Sequence, residues 1–120
     1  MLPGMGSEYA LDTQDYAGAR VVLTWADWHG HVIPAHLEVG DSLDAVGDTI
    51  RDPTFVFEST VSPETRLFHR LGAIPWFRNL YLTVVIRFDF EPARVMTVYV
   101  TKEPSGSSGR LLHVSARHRH

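Results

Sequence analysis

The chain contains no cysteine. That excludes a disulfide framework, a thiolate metal site, an iron–sulfur cluster and a cysteine nucleophile. No apolar run is long enough to cross a bilayer, so no membrane contact is expected. The stretch from Met1 to Tyr16 lacks the basic and apolar regions of a secretory signal. No internal repeat is visible. These absences point to a cytoplasmic or host-cell interior setting.

What is present fits one domain of 120 residues with a modest core. The formal net charge of −3 hides an asymmetry. Residues 1–60 hold ten acids and two bases, whereas residues 61–120 hold four acids and nine bases. Such a chain presents a basic surface to a polyanion if the halves stay apart, and a mixed surface if they interleave.

The strongest structural signal runs from Asn79 to Thr101. Leu80, Leu82, Val84, Ile86, Phe88 and Phe90 alternate with Tyr81, Thr83, Val85, Arg87 and Asp89. That period of two, rich in β-branched and aromatic residues, predicts a strand. A second run places Met96, Val98 and Val100 on one face and Val95, Thr97, Tyr99 and Thr101 on the other. Pro92 belongs in the turn between them, because proline donates nothing to a ladder. The apolar face of this hairpin requires a helix over it. The other face carries Tyr81, Thr83, Arg87, Thr97 and Tyr99, which suits either a half-solvated sheet or a binding surface.

Residues 1–19 read as a flexible N-terminal arm, residues 20–104 as a single domain, and residues 105–120 as a linker, a short edge strand and a tail. Arg20 to Thr24 reads as a short strand. Thr24 caps a helix that carries Trp25, Trp28 and Val32 on one face, and Pro34 stops or kinks it. His31 and His36 straddle that break. A second helix spans Ser42 to Ile50, with Leu43, Val46 and Ile50 at helical spacing, and ends at Asp52-Pro53. Strands follow at Phe55–Glu58 and Thr65–Leu71, the latter with Arg66 and Arg70 at alternate positions. The expected fold is therefore α+β, with two N-terminal helices packed on a four- to five-stranded antiparallel sheet.

Several short motifs then fall in a suggestive order: Val22-Leu23-Thr24, Trp28, His31-Val32, His36, Asp52-Pro53, Phe68-His69-Arg70, Tyr81-Leu82 with Val84-Val85, and Val95-Met96-Thr97-Val98-Tyr99. From about Val21 to Thr101 the chain resembles the phage-associated nuclease-like domains of the barnase–EndoU–colicin–RelE (BECR) group. The resemblance implies a RelE-like fold and metal-independent RNA cleavage, with no cofactor. It implies RNA as partner and a toxin or phage effector that meets a cognate antitoxin or immunity protein. The chain departs from the group at Ala35 and Leu37, where arginine and proline often flank the second histidine. That departure suits a non-catalytic relative that binds nucleic acid or a protein.

In the catalytic reading the ribose 2′-oxygen attacks the adjacent phosphorus and the 5′-oxygen leaves. Histidine suits both proton transfers near neutral pH, so His31 and His36 take these roles. Arg70 and Arg87 bind the phosphate. Thr97 and Tyr81 donate to its oxygens, and Tyr99 stacks on or orients a base. Each residue also has a structural reading. His31 suits a buried histidine on a backbone carbonyl, His36 a helix-end cap, and the arginines a solvated strand face. His69 reads as structural, and the Trp25/Trp28 pair as core. No third ligand stands at a convincing spacing beside His29 and His31 or His118 and His120, so no metal site is expected.

Overall fold

The computed structural model describes residues 8–32, 42–104 and 108–116, with the side chains of His31, Val32 and Ser108 outside that description. Within them lie strands β1 (Tyr9–Gln14) and β2 (Arg20–Thr24), then a short helix α1 (Trp25–Asp27) continued by a π-type turn (Trp28–Val32). The regular helix α2 (Leu43–Arg51) follows. Five more strands complete the order: β3 (Phe55–Ser59), β4 (Thr65–Leu71), β5 (Tyr81–Arg87), β6 (Ala93–Thr101) and β7 (Ser108–Val114). No helix among the described residues is long and apolar enough to cross a membrane.

The strands form one seven-stranded sheet in the order β1-β2-β6-β5-β4-β3-β7. Only β2 and β6 run parallel, pairing Val21 with Ala93 and Val22 with Arg94. This overturns the expectation of two helices on a four- to five-stranded antiparallel, RelE-like sheet. Two local causes are visible. The first helix starts as expected, with the Asp27 amide donating to Thr24 Oγ1 at 3.0 Å. Its α-helical part then ends after three residues, in a stretch that contains Gly30. Residues 9–14, expected in the arm, instead form the edge strand β1. Asp15 closes the β1–β2 hairpin, its Oδ1 accepting from the Ala17 and Ala19 amides at 2.9 Å each. Gly18 takes the left-handed φ of 92° that this turn needs.

Alternation on β5 does what the sequence predicts. Leu82, Val84 and Ile86 are buried on the face beneath α2, together with Phe68, Val56, Val98, Val21 and Leu23. From α2 come Val46 and Ile50, both fully buried. Trp28 joins this core, whereas Trp25 is exposed and stacks on His29. The sheet curls around α2. Tyr16, in the turn at one edge, stacks on His113 of β7 at the other edge, with ring centroids 4.2 Å apart. The same Tyr16 ring packs on Phe68.

On β6 the expected faces hold only from Thr97 onward. A bulge between Val85 and Ile86 of β5 and their partners Thr97 and Val95 shifts the register. Val95 therefore turns into the core and Met96 turns outward, the reverse of simple alternation. The two halves of the chain interleave, since β3 sits between β4 and β7. Asp52 pairs with Arg70 and Glu58 with Arg110, so the charge asymmetry is partly neutralised across the fold.

Candidate nucleic-acid interface

Antiparallel register decides which side chains share a face, because directly paired residues point the same way. Thr83 pairs with Tyr99 on one side and with His69 on the other, and His69 pairs with Phe55. Tyr81 pairs with Thr101, Val85 with Thr97, and Arg87 with Arg94. All of these lie on the side of the sheet away from α2. Tyr81, Thr83, Arg87, Thr97 and Tyr99 thus share one face, over which no helix of the described residues lies.

The centre of this face is closed rather than open. Thr83 and His69 are buried, His69 at 2 % exposure. The His69 Nδ1 lies 2.8 Å from Thr83 Oγ1, and Nε2 is buried with no hydrogen-bond partner. Phe57 and Tyr81 meet the imidazole edge-on at centroid distances of 5.7 and 6.3 Å. Phe55 packs against both of those rings at 6.0 Å. Burial pushes the His69 pKa down to about 4, because the apolar rings offer nothing to a positive charge. The ring is neutral at pH 7 and shielded from solvent, which suits a packing role.

Around this plug the polar groups are half-exposed: Tyr81, Thr97, Tyr99 and Thr101. Burial raises the Tyr99 pKa, so its phenol keeps its proton well above neutrality. At one end Arg87 is clamped to Asp89, its Nε donating to Oδ1 at 3.0 Å and a terminal nitrogen to Oδ2. That hydrogen-bonded pair raises the arginine pKa and lowers the aspartate pKa. Phe90 lies between two guanidiniums, Arg87 at 5.2 Å and Arg94 at 5.3 Å from its ring centroid.

Arg70 is not part of this group. Its partner on β5 is Leu82, which places it on the helix-covered face. There it binds the Asp52 carboxylate at 3.2 Å and donates to the Asp52 carbonyl, fastening the end of α2 to β4. Of the two histidines assigned proton transfer, His36 lies outside the described residues, and only the backbone of His31 is described. Among the described residues no three histidine, aspartate or glutamate side chains gather as metal ligands.

His69 is the structural residue that the sequence predicts, although its place at the centre of the open face was not foreseen. Its parity with Leu67 and Leu71 carried the signal: residues at alternate positions share a face, and on β4 that face is the one opposite Arg66 and Arg70. The chain matches no protein-family model, no curated protein and no solved structure.

Proposed function

We propose that the chain acts on RNA through the open face of β5 and β6, as a metal-independent endoribonuclease-type domain. The observation that carries this reading is the clustering of Tyr81, Thr97 and Tyr99 on one half-exposed face, with Arg87 at its end. Such hydroxyls and a guanidinium are the donors that a pentavalent phosphorane needs. Thr97 and Tyr81 donate to its oxygens, and Arg87 exchanges Asp89 for the phosphate. Tyr99, protonated at neutral pH, orients a base. His31 and His36 carry the proton transfers, the 2′-oxygen displaces the 5′-oxygen, and a 2′,3′-cyclic phosphate results. Support comes from this surface chemistry and from the motif resemblance to the BECR-type nucleases, not from the fold. A cognate antitoxin or immunity protein in the cytoplasm belongs to the same reading.

A second reading is favoured by one observation. Arg20, Arg87 and Arg110 are each held by a carboxylate, so much of the positive charge is already neutralised. That suits a non-catalytic module whose aromatic face binds a protein.

Labelled total RNA incubated with the protein in EDTA separates the two. The enzyme leaves cyclic-phosphate ends, and a folded His31→Ala/His36→Ala variant leaves the RNA intact. If RNA stays whole with the folded parent as well, the binding-module reading replaces the enzyme.

A further inference from the structure

The seam where the curled sheet meets itself holds a second polar cluster, on the α2 side and away from the open face. Val56 pairs with Phe68 on one side and with His113 on the other, so the three share that side. Arg66, two residues before Phe68 on β4, points the same way. Tyr16 reaches in from the β1–β2 turn. It stacks on His113 with ring planes 27° apart and packs on Phe68 at a centroid distance of 5.8 Å. Three distant parts of the chain thus bring a phenol, an imidazole and a guanidinium to one place.

Local pairing leaves that guanidinium uncommitted. Glu58 stands directly across from Arg66, but its carboxylate is taken by Arg110, whose Nε donates to Oε1 at 3.0 Å. Glu64 accepts from the Ser62 hydroxyl through Oε2. Asp15, beside Tyr16 in the chain, is buried, and its Oδ1 serves the turn amides. Arg66 makes no ion pair among the described residues, and its guanidinium lies 4.3 Å from the Phe88 ring centroid. Phe88 in turn stacks on Phe68, so the cation rests on an aromatic floor joined to the core. Burial raises the Tyr16 pKa and the nearby Arg66 charge opposes that rise, so the phenol keeps its proton at neutral pH. Tyr16, Arg66 and His113 are all half-buried, so a ligand can reach them from solvent.

We propose that Arg66, Tyr16 and His113 form a binding site for a phosphate-type oxyanion. The guanidinium offers a fork of N–H donors, the phenol an O–H and the imidazole an N–H. These donors come from three separate elements, so a tetrahedral anion with several oxygens uses them all. A planar carboxylate has two oxygens, which the guanidinium fork alone satisfies. Free phosphate and a phosphate monoester share the required chemistry. Either one ties the β1–β2 turn to β4 and β7, and so stabilises the closure of the sheet's two edges on each other.

The test is an NMR titration of the intact chain with inorganic phosphate at neutral pH and constant ionic strength, with sodium chloride as the blank. Tyr16, Arg66 and His113 resonances should shift saturably, whereas those of Tyr81, Thr97 and Tyr99 stay in place. The melting temperature should rise with phosphate and not with chloride. Acetate should bind at least about tenfold more weakly. Arg66→Gln should weaken phosphate binding roughly tenfold. Tyr16→Phe keeps the stack and loses only the hydroxyl, and should weaken it about fivefold. The same spectra report folding. Glycerol 3-phosphate distinguishes the two sources. Binding within about tenfold of inorganic phosphate assigns the site to a monoester, and weaker binding assigns it to the free ion. Equal shifts with chloride, acetate binding as tight as phosphate, undiminished affinity in Arg66→Gln, or shifts confined to the open face would overturn the site. Because the cluster lies on the opposite side of the sheet, its failure leaves the RNA reading untouched.

Discussion

The two faces of the sheet are built from the same strands and solve different problems. Beneath α2, Val56, Phe68, Val84, Ile86 and Val98 are sealed, and every one is apolar. On the open face the buried groups include two polar ones, Thr83 and His69, joined to each other by a hydrogen bond, beside the apolar Val22 and Leu67. The first face is held mainly by apolar burial, with the Arg70–Asp52 contact at its margin. The second keeps polar groups inside by roofing them with Phe57 and Tyr81, and leaves hydroxyls and guanidiniums around the rim. Apolar burial therefore dominates one side of each strand, and half-exposed hydroxyls and guanidiniums mark the other.

Substitutions should break this contrast unequally. The largest effect is expected from Phe68→Ala, which opens a cavity under α2 and should cost about 3–5 kcal/mol in chemical denaturation. Tyr99→Phe on the open face should cost about 1 kcal/mol or less by the same measurement.

The pH dependence comes next. An unfolded histidine takes its proton near pH 6.5, the folded His69 only near about 4. Below 6.5 the unfolded chain binds the proton that the folded chain refuses. Stability from this group is thus complete above pH 6.5 and falls as pH drops toward 4, by about 3 kcal/mol at most. Denaturation midpoints at pH 7.5 and 4.5 should differ accordingly, and the His69→Leu variant should lose this component of the difference.

A smaller effect is expected from Thr83→Val. It removes the partner of His69 Nδ1 and leaves both ring nitrogens unsatisfied, at a cost of about 1–3 kcal/mol. Smallest is Arg87→Gln, which breaks a surface pair and should change stability by about 1 kcal/mol or less. Its effect should appear instead as a shallower salt dependence of RNA binding.

Much of the layout was legible because it rests on local patterns. The alternation of β5, the spacing of Leu43, Val46 and Ile50, and the limits of β4 at Thr65 and Leu71 needed no knowledge of the rest of the chain. What escaped depends on pairing partners. Tyr9–Gln14 has little β-branched character, and becomes a strand because β2 offers it an edge. The β2–β6 contact joins Val21 to Ala93 across most of the chain, and nothing in either stretch advertises it. The bulge at Val95 is a register event, so alternation put Val95 and Met96 on the wrong sides. The same logic governs the site. The shared face of Tyr81, Thr97 and Tyr99 follows from parity within one hairpin. Arg70 was drawn into the site by residue type, although its parity with Phe68 on β4 places it beneath α2.

The most direct measurement is a titration of the chain with a short single-stranded RNA, followed by methyl and aromatic NMR. If the open face is the contact surface, resonances of Tyr81, Thr97 and Tyr99 shift, while those of Val46, Ile50 and Val84 stay in place. Shifts confined to α2 and the β1–β2 turn, or no shifts at saturating RNA, would contradict the account.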